Sequence, residues 1–172
     1  MDYEYYYNNA RNRYYNACSE INSCQNRLND LRVQQQNVIN RINQLKAEIR
    51  DHENAYEQMV QVVRHEDALN SKFSAVISKT DDASANFAGM AVASDVAQNT
   101  LTDVMSTLNT RKNTLNAKIS DLNSQLRAAE NELQNIKNQI SSTQADLAEW
   151  QRIRTNASYD MEYYRRKMLE VM

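Results

Sequence analysis

The sequence predicts an all-α fold, a long antiparallel helical hairpin of the coiled-coil type. The 172 residues contain one glycine, Gly89, and no proline. Because turns depend on these two residue types for their special backbone angles, a chain that almost lacks them has few turns. On both sides of Gly89 the apolar residues recur at steps of three and four, the heptad pattern of helices that pack side by side. A mean hydropathy of -0.80 fits helices with a narrow apolar seam.

The first predicted arm covers about residues 2–79 and follows the heptad, written abcdefg, without a break from Tyr3 to Met59. A strict seven-residue repeat over this many turns predicts a left-handed supercoil against a partner helix. Two polar residues, Gln35 and His52, stand in the seam. The a positions are Tyr7, Tyr14, Ile21, Leu28, Gln35, Ile42, Ile49, Tyr56 and Val63, and the d positions are Tyr3, Ala10, Ala17, Cys24, Leu31, Val38, Leu45, His52 and Met59.

The second predicted arm, about residues 98–172, is as regular as the first. Two such arms joined by a short connection should pack antiparallel, with a positions of one arm facing d positions of the other. The a positions here are Met105, Lys112, Ile119, Leu126, Leu133, Ile140, Leu147, Arg154, Met161 and Met168, and the d positions are Leu101, Leu108, Leu115, Leu122, Ala129, Ile136, Thr143, Trp150, Ala157, Tyr164 and Val171.

Between the arms, about residues 80–97 form the predicted tip of a single domain that spans residues 1–172. Gly89 is the predicted turn, because glycine is the residue that most readily adopts turn conformations. The segment 78–84 is rich in residues that cap helices and poor in apolar ones. We therefore expect a break or kink there, followed by a short helix near 85–97 that folds over the distal end.

The register of the two arms is predicted from the polar residues of the seam. If residues that face each other have numbers adding up to 178, Gln35 faces Thr143 and Glu66 faces Lys112, so that polar groups meet. The neighbouring register, with numbers adding up to 171, would set Glu66 against Met105. A buried polar group without a partner costs about 1–3 kcal/mol. The prediction is therefore the register of 178.

The tyrosines are clustered near the two ends of the chain. Six of the ten lie at positions 3, 5, 6, 7, 14 and 15, and three lie at 159, 163 and 164. An antiparallel hairpin brings these two groups together at its open end. We expect their rings to stack there and to limit fraying.

A row of apolar g positions near the tip predicts a surface for a protein partner. The g position precedes a, and a two-helix seam needs only a and d to be apolar, so a third apolar row suits a three- or four-helix packing. We expect homodimerisation through this surface, with coverage by the chain's own tip as the alternative. The predicted partner-binding residues are Val62, Leu69, Phe73, Val76, Phe87, Met90, Ala97 and Val104.

The sequence contains no recognisable catalytic or cofactor motif, so it predicts a non-enzymatic protein without a small-molecule substrate. The formal net charge of -2 gives no support for nucleic-acid binding. The alternative from another class is a metal- or redox-responsive helical protein that uses His52, His65, Cys18 and Cys24. The cysteines lie six positions apart on one helix, a poor geometry for a disulfide, so Cys24 is interpreted as a core residue and Cys18 as a flanking thiol.

The tip segment Phe87-Ala88-Gly89 resembles the Trp-x-Gly turn of the WXG100 (ESAT-6-like) family, small helical hairpins of type VII secretion to which longer LXG-associated helical proteins are related. Phe87 stands in place of the family's Trp, the arms are longer, and the C-terminal Tyr-x-x-x-Asp/Glu signal is missing. The resemblance implies a secreted protein or an export partner in a Gram-positive bacterium. With no Sec signal peptide and no membrane span in the sequence, we expect a protein that is cytoplasmic or secreted without such a signal.

Overall fold

In a computed structural model the chain is all-α, with two long helices packed against each other, so the predicted helical hairpin is confirmed. Helix α1 spans Tyr3–Asp81 and helix α2 spans Ala88–Val171. The structure describes the backbone of residues 2–81 and 88–171, and the side chains of residues 2–72, 74, 75 and 99–170.

Helix α1 begins with a capped end. Oδ1 of Asp2 accepts a hydrogen bond of 3.0 Å from the backbone N–H of Tyr5, one of the amides that has no partner within the helix. No proline follows to remove a backbone donor, and the helix continues without interruption to Asp81. Helices of this length are stabilised mainly by the packing of one apolar face.

The prediction that Gly89 forms the turn is wrong, because Gly89 is the second residue of α2 and does not have a positive φ. The predicted tip is not a separate short helix in the described residues, since α2 runs from Ala88 without a break. A glycine inside a helix costs about 1 kcal/mol relative to alanine, which a long packed helix tolerates. The connecting residues 82–87 lie outside the described part of the chain.

Contacts divide the chain into two units. Unit 1 comprises Met1–Ile42 with Ala128–Met172, and unit 2 comprises Asn43–Arg127. Within each unit the buried side chains stand at the predicted a and d positions, which confirms the seam. In unit 1 these are Ala10, Ala17, Ile21, Cys24, Leu28, Leu31, Val38, Ile42, Ala129, Ile136, Thr143 and Ala157, and in unit 2 they are Leu45, Ile49, Val63 and Leu122.

Contacts between the helices of unit 1 show that the predicted register of 178 is wrong. Arg13 pairs with Asp160 at 2.7 Å, and the rings of Tyr6 and Tyr164 stack with centroids 5.4 Å apart. In the register of 171 the members of these pairs are offset along the helix axis by about 3 and 1.5 Å, from the rise of 1.5 Å per residue. In the register of 178 the offsets would be about 7.5 and 12 Å. Only the register of 171 brings the tyrosine rings together.

Charges on the g positions explain this register. Arg13 and Arg41 on α1 meet Asp160 and Glu132 on α2, at 2.7 and 3.9 Å. Because g faces g in an antiparallel pair, the register of 178 would instead bring like charges together. Arg13 would then lie opposite Lys167. The prediction weighed the polar residues of the seam and did not consider this row.

The buried polar residue Thr143 does not argue against the observed register. Its side chain is 2% exposed, and its hydroxyl donates a hydrogen bond of 2.8 Å to the carbonyl oxygen of Gln139 in its own helix. It therefore needs no polar partner across the seam. Glu66 of unit 2 does carry the expected penalty, since its Oε2 is buried and has no hydrogen-bond partner among the described residues.

The two tyrosine groups meet in unit 1, as predicted. The rings of Tyr6 and Tyr164 are inclined by 23°, and Tyr163 packs edge-on against Tyr164 with centroids 5.2 Å apart. Other rings of the cluster face solvent, including Tyr15 and Tyr159. Stacked rings of this kind contribute about 0.5–1.5 kcal/mol beyond their buried area.

Candidate functional site

Three large apolar side chains of unit 2 lie on the surface, outside the seam. Val62, Leu69 and Val104 are 45%, 61% and 39% exposed, and all three stand at g positions. We call these three residues the distal apolar row. A contiguous exposed apolar surface is more informative than single exposed residues, because it marks a site of association.

Two members of the distal apolar row, Leu69 and Val104, follow the same numbering rule as the ion pairs of unit 1. The numbers of Leu69 and Val104 add up to 173, as do those of the two g–g ion pairs in unit 1. Charged pairs occupy g positions in unit 1, whereas in unit 2 the apolar Val62, Leu69 and Val104 share the g row with Glu48, Arg111 and Lys118. Beside Val104, the surface of α2 contains a cavity of about 330 Å³, which is lined by Thr100, Asp103, Val104, Thr107, Leu108 and Arg111.

Five other predicted partner-binding residues are not tested by the structure. The side chains of Phe73, Val76, Met90 and Ala97 lie outside the described residues, and Phe87 lies outside them altogether. Their role in binding stays a prediction.

The residues of the metal or redox alternative are placed as follows. Cys24 is buried and Cys18 half-buried in unit 1, and both are free thiols, as the sequence interpretation had them. In unit 2, His52 is half-buried at its seam position, and the ring nitrogen Nδ1 of His65 lies 2.8 Å from the carbonyl oxygen of Gln61. Among the described residues, no group of three or more His, Cys, Asp or Glu side chains could hold a metal ion.

Comparison of the chain with known proteins gives no match. No protein-family model, curated protein or solved structure matches it significantly. A search of the described residues also finds no helix with the length and apolar content needed to cross a membrane. Functional inference therefore starts from the side chains of the chain itself.

Sequence reasoning missed a second surface, on unit 1. The e position follows d and lies beside a on the helix surface, and in unit 1 this row is basic. Its cations are Arg11 and Arg32 on α1, and Lys137 and Arg165 on α2. The signal was present in the sequence, in the four basic residues that stand at e positions of the two arms.

Proposed function

We propose that the protein is a non-enzymatic coiled-coil interaction protein that forms a homodimer through the distal apolar row. The observation that carries the proposal is Leu69, a large apolar side chain that is 61% exposed at a g position, outside the seam of a and d residues. Burying a leucine side chain contributes about 1.5–3 kcal/mol. In a two-fold symmetric dimer this contribution is made twice, because each copy buries its own Leu69 in the interface.

The cavity beside Val104 supports a second copy as the occupant. Asp103 and Arg111 both line it, so the cavity carries one acidic and one basic side chain. A two-fold axis lets opposite charges on two identical surfaces meet, which makes such a surface self-complementary. The apolar members of the row then supply the buried centre of the interface.

Light scattering coupled to size exclusion tests the proposal on the full chain. The wild type should be a dimer, and Leu69→Glu should be a monomer of unchanged helicity by circular dichroism. A loss of about 3–6 kcal/mol over the two symmetric leucines corresponds to at least a hundredfold weaker dimerisation.

Val33→Glu is the matched control, because Val33 is 62% exposed in unit 1 and lies outside the distal apolar row. This variant should remain a dimer. A wild type that is monomeric at high concentration would contradict the proposal, and so would a dimer that survives Leu69→Glu.

The proposed export role rests on the resemblance of Phe87-Ala88-Gly89 to the WXG100 turn, and we propose it as the setting in which the dimer acts. Expression of the tagged chain in a Gram-positive host should place it in the culture medium. Its absence from the medium, or equal export by a host without type VII machinery, would refute this role.

A further inference from the structure

The two helices of unit 1 bury their seam residues unequally. From Ala17 to Ile42 of α1 both rows are buried except at Gln35, whereas in the α2 part of unit 1 the buried seam residues all stand at d positions. The a residues Leu133, Ile140 and Leu147 of α2 are only half-buried. Register gives part of the reason, since Leu147 faces the small Cys24 and extends beyond it.

This half-covered row runs beside the e positions, so the partly exposed apolar surface lies on the e side of the unit. From α1 the half-buried e residues Cys18 and Ile39 join it. We call this surface of unit 1 the e-side groove. A third helix packs on such a groove by inserting apolar side chains between the a rows of the first two.

The e-side groove carries more basic than acidic side chains. Five cations lie on it, and among the described residues none of them has an ion-pair partner. They are Arg11, Arg32, Lys137 and Arg165 at e positions and Arg154 at an a position. The acidic side chains on the same side are Glu4, Glu130 and Glu162, of which Glu162 pairs with Arg166 at 3.5 Å. On the opposite g side, two of the cations, Arg13 and Arg41, are paired with carboxylates of α2.

A cavity of about 350 Å³ lies on this groove near the open end of unit 1. Tyr7 and Tyr14 of α1 line it together with Ser158, Met161, Glu162 and Arg165 of α2. Two aromatic rings and a thioether suit an apolar side chain of a partner, and Arg165 suits a neighbouring carboxylate. The cavity is a place where one side chain of a docked helix would anchor.

We propose that the e-side groove binds an acidic amphipathic helix of a different protein. The helix inserts its apolar face along the half-covered row and sets its carboxylates against the e-row cations. A second copy of this chain is a poor occupant, because its own e-side groove would bring cations against cations. The proposal is independent of dimerisation, which uses the g side of unit 2.

The test uses a labelled peptide of about four heptads with Leu at a and d, one Trp among them, and Glu at e and g. A second peptide with Lys in place of every Glu is the matched probe. Fluorescence anisotropy on the full chain should show binding of the acidic peptide, at least tenfold tighter than the basic one and weakened by salt. Bound peptide should also slow alkylation of Cys18, while buried Cys24 provides the internal reference.

The double variant Arg32→Glu with Lys137→Glu should reverse the preference between the peptides. Neither side chain has an ion-pair partner among the described residues, so the fold loses no described ion pair. Arg27→Glu with Arg152→Glu makes the same change of charge away from the e-side groove, on the g side and the outer face, and should leave the preference unchanged. Equal binding of both peptides, or a preference that the Arg32 and Lys137 changes do not alter, would overturn the proposal.

Two further outcomes separate this proposal from dimerisation. On Leu69→Glu the acidic peptide should bind as it does on the wild type, whatever the oligomeric state. If the double variant Arg32→Glu with Lys137→Glu has a different oligomeric state from the wild type, a second copy occupies the groove and the inference is wrong.

Discussion

Replacing Glu66 by leucine should stabilise unit 2. Its Oε2 is buried without a hydrogen-bond partner among the described residues, and the register of unit 1, continued along the same heptads into unit 2, sets this residue against Met105. Leaving a buried polar group unsatisfied costs about 1–3 kcal/mol, and a leucine at the same place adds apolar contact. We therefore expect a gain of about 1–3 kcal/mol in the free energy of unfolding, or roughly 2–4 °C in Tm for each kcal/mol in a chain of this size.

Urea unfolding followed by circular dichroism measures the gain, and hydrogen exchange locates it in unit 2. Glu57→Leu is the control, because Glu57 is an exposed residue of the same helix and the substitution removes the same charge. If Glu66→Leu is no more stable than Glu57→Leu, the carboxylate is not an uncompensated buried group and the assigned seam position is wrong.

Two further predictions test the register and a surface ion pair. In a background without Cys18 and Cys24, cysteines introduced in place of Gln35 and Ile136 should form a disulfide on oxidation. Cysteines in place of Gln35 and Thr143 should not, because an offset of seven residues is about 10.5 Å along the helix axis. Preferential cross-linking of the second pair would restore the register of 178. The hydrogen bond from Arg152 lowers the pKa of Glu149 below its ordinary value of 4.5, so the pair's contribution to stability is present above that pH and is lost as pH falls through the lower folded value. Carboxyl titration by NMR should show this depressed pKa and its return towards the ordinary value in Arg152→Gln; a pKa that Arg152→Gln leaves unchanged would contradict the assigned cause.

The seam could be predicted from the sequence because it depends on one repeated rule. Apolar residues at steps of three and four bury wherever two helices meet, and the chain supplies them on both arms. The register could not be predicted from the same residues. Thr143 looks like a group in need of a partner, yet it satisfies its hydroxyl on Gln139 of its own helix. Its polarity therefore says nothing about what lies across the seam.

The charged residues at g held the missing information. Arg13 and Asp160 are half-exposed, and such pairs contribute only about 0.2–1 kcal/mol each. The two pairs acting together still discriminate between two registers that bury the same apolar rows. The prediction of a turn at Gly89 was wrong because the conformational freedom of glycine permits a turn but does not require one.

The candidate surfaces were predictable to different degrees. Leu69 and Val104 stood out because a third apolar row exceeds what two helices need. The e-side groove did not, because no e-row residue is unusual by itself. It is recognised only when the half-buried Ile140 and the unpaired Arg32 are seen to share one side of unit 1.

The g-side ion pairs of unit 1 also make the charges of the two helices different. Where they are paired, α1 contributes the bases, Arg13 and Arg41, and α2 contributes the acids, Asp160 and Glu132. If two copies of α1 were paired, their g-position arginines would face each other, and two copies of α2 would bring their carboxylates together. Pairing α1 with α2 avoids both repulsions. A segment of α1 therefore distinguishes α2 from another copy of itself. The same charges that set the register thus favour pairing of α1 with α2 when the two helices of unit 1 are supplied as separate peptides.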